Sequence, residues 1–293
     1  MFRRAAALSA AARAAITRLL EAPLFELIPL KSVDSQLAFL PPGATLTVTA
    51  SPAKGIEATV ELSARLAGLG FSAVPHLSAR MIRDRAHLRG LVGTLGAAGV
   101  RQVFVVGGDA GEPGEFPDGL SLLRALAELG HPFTEVGIPG YPEGHPTIPD
   151  ERLLAALAEK QPFATSITTQ LCFDADRTRR WLLARRAAGI TLPVTLGVPG
   201  VAELHKLVEI SARIGVRDSR RFLSKNTALV GRFLRPGGYR PDGLLAGLVP
   251  LLLDPQADVR GVHLYTFNQV ETTEEWRQAY LAGLAAPGVA AAS

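Results

Sequence analysis

The feature that most constrains this chain is its rhythm, in which short β-branched runs alternate with stretches of helical spacing. Runs at 25–28, 46–49, 72–75, 102–106, 134–138, 166–169, 194–197 and 261–265 predict strands. Stretches at 56–69, 83–98, 119–129, 150–159, 174–188, 201–214 and 244–253 predict helices. Strands that take turns with helices of this length build parallel βαβ units. Eight such units within 293 residues predict an α/β chain folded as a closed (β/α)8 TIM barrel. An open doubly wound sheet is disfavoured, because no G-x-G-x-x-G fingerprint follows the first strand.

Local punctuation agrees with this reading. Asp150 and Asp174 stand where helix N-caps are wanted, and Gly70, Gly99, Gly130 and Gly189 follow helix ends. One catalytic domain over 1–293 is expected, with an extra N-terminal helix and an insertion at 219–242 before the last strand. Residues 1–20 are rich in Ala and Arg without an acidic residue. They read as an additional helix of the barrel, with a transit peptide as the alternative.

Composition excludes several classes. With hydrophobic residues at 47% and charged ones at 20%, a full core is affordable, built mainly from Leu, Val, Ala and Ile because aromatics are only 6%. The lone Cys172 rules out an intrachain disulfide and suits a reducing, cytoplasmic compartment. No apolar run is long enough to span a bilayer. The net charge of +4 owes much to Arg177, Arg179, Arg180, Arg185 and Arg186, and to Arg213, Arg217, Arg220 and Arg221. Without interleaved aromatics these read as solvated faces, ahead of a polyanion site and well ahead of a nucleic-acid surface.

Barrels of this kind place chemistry at the C-terminal ends of their strands. Polar residues fall there one after another: Glu26 in the first strand, Thr49 after the second, His76 with the third and Asp109 after Gly107 and Gly108. Tyr141, Glu143 and His145 follow the fifth strand, Gln170 the sixth, and His263, Tyr265 and Asn268 come with the eighth. A carboxylate such as Glu26 among apolar neighbours must be protonated, paired or catalytic, since burying it alone is costly. Burial would raise its pKa and suit it to general-acid work. Each residue also has a plainer reading: an ion pair for Glu26, a cap for Asp109, loop hydrogen bonds for His76 and His145, packing for Tyr141 and rim contacts for Gln170. Cys172 reads as buried filler. The glycines around Asp109 lack the Lys-Ser/Thr of a nucleotide triphosphate loop, and no tight ligand spacing supports a metal.

At these residues the chain resembles the methylenetetrahydrofolate reductase family, from about Phe25 to Trp276 in order. The pieces are Phe25-Glu26, Val48-Thr49-Ala50, Pro75-His76-Leu77, Gly108-Asp109, Tyr141-Pro142-Glu143 with His145-Pro146, Thr169-Gln170 with Phe173-Asp174, and the run from Gly261 to Asn268. The resemblance implies an oxidoreductase that interconverts 5,10-methylenetetrahydrofolate and 5-methyltetrahydrofolate through FAD, with NADH or NADPH as donor. It implies Glu26 as general acid and Asp109 as a charge beside flavin and pterin. It further implies Thr49, His76, Gly108, Asp109, Tyr141 and His145 as flavin contacts, with Gln170, Tyr265 and Asn268 toward the folate.

The sequence departs from the family pattern at several flavin contacts. An expected Arg is Gly107, expected polar helix positions fall on Ala155, Ala158 and Glu159, and an expected Arg is Gln269. An aromatic expected after the seventh strand is absent from 197–204. These departures leave room for hydride transfer without flavin, for a flavin barrel acting on another substrate, or for a folate-binding subunit without redox activity. Tetrahydrofolate derivatives are the expected partners, with no nucleic acid and no membrane, and a homo-oligomer is compatible with the sequence.

Overall fold

Parallel strands of alternating residues put one set of side chains inside a barrel and the other against its helices. The computed structural model describes residues 8–145, 147–201 and 239–286. All but the first residue of the helix expected at 201–214, most of the insertion at 219–242, and Arg213, Arg217, Arg220 and Arg221 lie outside the described residues.

The chain opens with α1 (Ala10–Glu21), β1 (Leu24–Leu27), α2 (Val33–Leu37), β2 (Thr45–Val48) and α3 (Gly55–Gly68). It continues through β3 (Ser72–Ser78), α4 (Arg85–Ala97), β4 (Gln102–Val106), α5 (Gly119–Leu129), β5 (Glu135–Gly140) and α6 (Asp150–Lys160). The last described elements are β6 (Ser166–Thr169), α7 (Ala175–Ala187), β7 (Val194–Pro199), α8 (Asp242–Leu252), β8 (Val259–Tyr265) and α9 (Val270–Ala285). All eight strands pair in parallel with their sequence neighbours, and β1 pairs with β8, which closes the expected barrel.

The two faces of the wall differ in chemistry. Phe25, Leu27, Leu46, Val48, Val105, Ile138, Ile167, Leu196, Val262 and Leu264 are buried on the helix side and form the main core. The inward set includes Thr45, Thr47, His76, Ser166, Thr168, Thr195 and His263. Barrels of this type usually fill their interior with branched apolar side chains. Here the interior is mixed: these polar residues share it with Leu24, Val74 and Phe104, so the strands carry more polar residues on their inner face than is usual.

The helix ends follow local chemistry. Asp174 caps α7 by accepting the Arg177 N–H at 3.0 Å, as its sequence position suggests. Gly70, Gly99, Gly130 and Gly189 take positive φ beyond their helices. Asp150 differs from expectation: Pro149 holds the cap position and Asp150 begins α6. Its carboxylate instead takes Arg185, at 2.6 and 2.8 Å. Arg185 is therefore buried, and Arg186 donates to the carbonyls of Ile190 and Ala257, so these two Arg residues are structural rather than solvated. Arg177, Arg179 and Arg180 are exposed as read.

The N-terminal helix belongs to the fold. α1 buries Ala12, Ala15, Ile16, Leu19 and Leu20 and packs against α8, α9 and β8. From it Arg13 donates to the carbonyls of Leu284 and Ala286 at the end of α9. α9 itself is poorly marked in the sequence, because Thr273, Glu274 and Arg277 are buried on it and break its apolar stripe. Arg277 forks onto Glu274 at 2.6 and 2.7 Å and reaches the Leu20 carbonyl at 2.5 Å, tying α9 to the end of α1. Arg277→Met would leave the Glu274 carboxylate buried without its cation, held only by the Gln278 amide at 2.7 Å. Urea unfolding is expected to show a loss of about 3–5 kcal/mol.

Candidate active site

The geometry of the site starts where the barrel closes. β1 and β8 pair in register only at Leu24–His263 and Phe25–Leu264. Beyond that point side chains take over the pairing. The Thr266 hydroxyl donates to the Glu26 carbonyl at 2.5 Å, and the Asn268 amide both accepts from the Ile28 N–H at 2.8 Å and donates to the Ile28 carbonyl at 2.9 Å. To make these bonds the chain turns through left-handed backbone at Phe267 (φ 51°) and Asn268 (φ 56°). Asn tolerates that region, but an aromatic residue rarely adopts it. The turn aims the Phe267 N–H at the Glu26 carboxyl.

Glu26 is thus buried on β1 with one backbone donor and, among the described residues, no ion-pair partner. Burial pushes its carboxyl up to about 7, and the Phe267 N–H restrains the rise. Its register partner on β2 is Thr47, whose hydroxyl meets His263 Nε2 at 2.7 Å. Burial, with His76 nearby, lowers His263 to about 3, and burial lowers His76 to about 4. Both imidazoles are therefore neutral at physiological pH. The Tyr265 ring lies edge-on to His263 at 4.5 Å between centroids, and its hydroxyl donates to the Thr169 carbonyl at 3.2 Å. Gly197 makes room for it: a Cβ there would stand 2.8 Å from the Tyr265 ring and 2.2 Å from the Thr169 oxygen. Burial first, then the charges of Glu26 and Tyr141, hold the Tyr265 phenol well above its ordinary value.

The remaining expected residues ring the C-terminal mouth. Thr49 follows β2, with its hydroxyl at 3.4 Å from the Leu27 carbonyl. Gly108 has φ +85°, and a Cβ on it would overlap the Ser78 hydroxyl, so only glycine lets the chain pass here. Asp109 is exposed next to it and, after burial, is the second influence raising the Tyr141 phenol to about 12. Tyr141 and His145 meet edge to face at 5.3 Å. Gln170 is exposed after β6, its amide oxygen accepting the Leu171 N–H at 2.9 Å. Cys172 is buried 3.5 Å from a Glu143 oxygen, and burial pushes its thiol up to about 11, which suits filler rather than a nucleophile. Among the described residues no cluster of His, Cys, Asp or Glu could hold a metal ion.

Four residues were not given a role by the sequence. Thr47 and Thr266 act through contacts that only the closed barrel creates. Arg80 donates to the carbonyls of Ala110, Gly111 and Pro117, and so organises the loop that carries Asp109. Lys160 reaches from α6 toward the start of α5, where a Cβ on Gly119 would lie 3.5 Å from its Nζ. Burial lowers its pKa, opposed by Asp118 and Glu159. His263 was legible as a strand-end residue, but its pairing with Thr47 was not.

Comparison with known proteins bears on this arrangement. Residues 31–222 match the family profile of methylenetetrahydrofolate reductase. Relatives include a Caenorhabditis elegans protein named as a probable methylenetetrahydrofolate reductase (NADPH), 30% identical over 61% of this chain and 28% of its own length. Another is a 5,10-methylenetetrahydrofolate reductase of Pectobacterium carotovorum, 25% identical over 69% of this chain and 67% of that protein. The chain thus matches little more than a quarter of the nematode protein's length. Among solved structures, a tryptophan synthase from M. tuberculosis aligns with a TM-score of 0.45 and 13% identity, over 92% of this chain and 93% of that one.

The raised Glu26 carboxyl has a measurable consequence for stability. An ordinary Glu ionises near 4.5, whereas the folded site holds its proton to about 7. Between those values the unfolded chain binds fewer protons than the folded one, so this group lowers stability as pH rises across that window. Glu26→Gln removes the effect, while His76 and His263 contribute equally to both proteins. The stability of the variant relative to wild type is expected to grow by about 3 kcal/mol between about pH 4 and about pH 8. Urea titrations at the two pH values check it, and an unchanged difference would show that Glu26 is not held protonated.

Proposed function

The chain belongs to the methylenetetrahydrofolate reductase family, and from that premise we propose that it interconverts 5,10-methylenetetrahydrofolate and 5-methyltetrahydrofolate by hydride transfer, as one cytoplasmic catalytic barrel over 1–293. The observation that carries this reading is the buried carboxyl of Glu26, raised to about 7 near the end of β1. Such a group is protonated often enough at neutral pH to act as a general acid. Glu26 gives its proton to the ring nitrogen that leaves the methylene carbon. The carbon–nitrogen bond breaks, and the resulting iminium takes up hydride at that carbon. Asp109, exposed at the mouth beside Tyr141, supplies a negative charge that steadies the electron-poor ring system. Gln170, Tyr265 and Asn268 stand toward the substrate. Of these Gln170 has a free amide nitrogen at the rim, while the Asn268 amide is already engaged with Ile28.

The mouth suits a flat aromatic group. Tyr141 and His145 form an aromatic corner, and the chain at Gly107 and Gly108 carries no side chain. Thr49, His76, Gly108, Asp109, Tyr141 and His145 are the residues that would hold FAD, which when bound relays hydride from NADH or NADPH to the folate. Support is weaker for a phosphate tail: Gly107 stands where a cation is expected, and Arg80 is spent on three loop carbonyls. That observation favours a second reading, in which NAD(P)H donates directly to the folate.

An absorbance spectrum of the purified protein, taken before and after NADH and then methylenetetrahydrofolate, separates the two. Flavin bands that bleach and return support the flavin route, and a colourless protein that consumes NADH only with folate supports the direct one. Binding of folate without any turnover would overturn the enzymatic reading. Glu26→Gln is expected to lower folate reduction by about 100-fold or more. If flavin is bound, this variant keeps its NADH–dye activity. Full folate activity in it would remove Glu26 from the acid role.

A further inference from the structure

The barrel is not packed solid below its catalytic mouth. A cavity of about 400 Å3 runs from the N-terminal ends of the strands up to Thr47, His263 and Tyr265. Its lower opening is set by residues at strand starts, among them Gln102, Glu135 and Arg260. Its wall carries the hydroxyls of Thr45, Ser166 and Thr195. Leu24, Val74 and Phe104 share the wall, and a space of this size with several hydroxyls on it admits water. At its upper end His263 is 1% exposed, and its Nδ1 has no protein partner while Nε2 is held by Thr47. A buried ring nitrogen without a protein partner calls for a hydrogen bond, such as one from a trapped water. Thr47 is in turn the register neighbour of Glu26.

We propose that this cavity is a water-filled proton route, open at the N-terminal face of the barrel, through which Glu26 regains the proton it gives to substrate, with the Thr47–His263 pair positioning the last water. The inference rests on the general-acid role proposed for Glu26. In that reaction the donated proton leaves with the product, so each turnover must return one proton from solvent to the carboxylate. Substrate and hydride donor occupy the C-terminal mouth during the reaction, whereas the lower opening stays clear of both. The step is a net transfer of one proton along water to a Glu26 oxygen, and no other bond changes. Neutral imidazoles suit the task, because a cation beside the route would repel the passing charge. The titratable groups that line the cavity are His76 from β3 and His263 and Tyr265 from β8, with Glu135 and Arg260 at the opening; Glu26 from β1 and Tyr141 beyond β5 lie outside its lining, close enough to Tyr265 to raise its phenol.

The test dries or plugs the cavity at residues far from substrate. Thr45→Val with Thr195→Val keeps the shape and removes two hydroxyls, and Ser166→Leu fills the space. NAD(P)H-driven reduction of methylenetetrahydrofolate is then followed against pH in H2O and D2O. The drying and plugging variants are expected to lose about tenfold in kcat with KM unchanged. Their alkaline limb should move to lower pH, and the solvent isotope effect on kcat should rise. Wild-type values of kcat and isotope effect in folded variants would overturn the route. A high-resolution crystal structure gives a readout independent of activity. It should show an ordered water on His263 Nδ1 in the wild type that is lost in the Thr45→Val, Thr195→Val protein. A dry wild-type cavity would also overturn the route. A wild type without folate turnover would instead sink the reductase reading, and this inference with it.

Discussion

Everything in the site depends on how the first and last strands are joined. Backbone pairing between β1 and β8 lasts for two residue pairs, and the junction is completed by Thr266 and Asn268 reaching across to Glu26 and Ile28. The same turn supplies the one backbone donor to the Glu26 carboxyl. Closure of the sheet and placement of the acid are therefore a single event. The left-handed backbone at Phe267 is the cost of that arrangement, held in place because the flanking hydrogen bonds leave the turn no alternative.

A second constraint is the division of the barrel wall into an apolar outside and a more polar inside. The helices cover Leu, Val, Ile and Phe side chains, so the outer layer holds the fold together. The interior is then free to carry Thr47, His76, His263 and Tyr265 without weakening the core. Burial acts on these groups in one direction each: it raises the Glu26 carboxyl to about 7, and keeps the imidazoles neutral and the phenols un-ionised. Around Glu26 the imidazoles and phenols are neutral, a setting in which one proton more or less on its carboxyl is felt strongly.

The fold was legible because alternation of strand and helix is written along the whole described chain, down to the capping of α7 by Asp174. Glu26 was legible too, since a carboxylate inside an apolar strand is anomalous wherever the strand ends up. What stayed hidden required tertiary contacts. α9 carries its buried polar residues, Thr273, Glu274 and Arg277, on the face that should read as apolar, so its period is blurred. Asp150 looked like a cap until Arg185 claimed it from another helix. Asn268 drew notice as a strand-end polar residue, but its bonds to Ile28, and the Thr47–His263 contact, join segments more than 200 residues apart. No local pattern encodes such a pairing.

That separation has a bearing on how the protein is made. The bonds from Thr266 and Asn268 to β1 span 240 residues. At about 5–20 residues per second, β1 leaves the ribosome on the order of tens of seconds before its partner turn exists. During that interval the first strand is an unpaired edge, and its acid is an ordinary solvated Glu. Proton-donating power is thus acquired only once the turn at 266–268 has been made, and a chain terminated before it carries none of it.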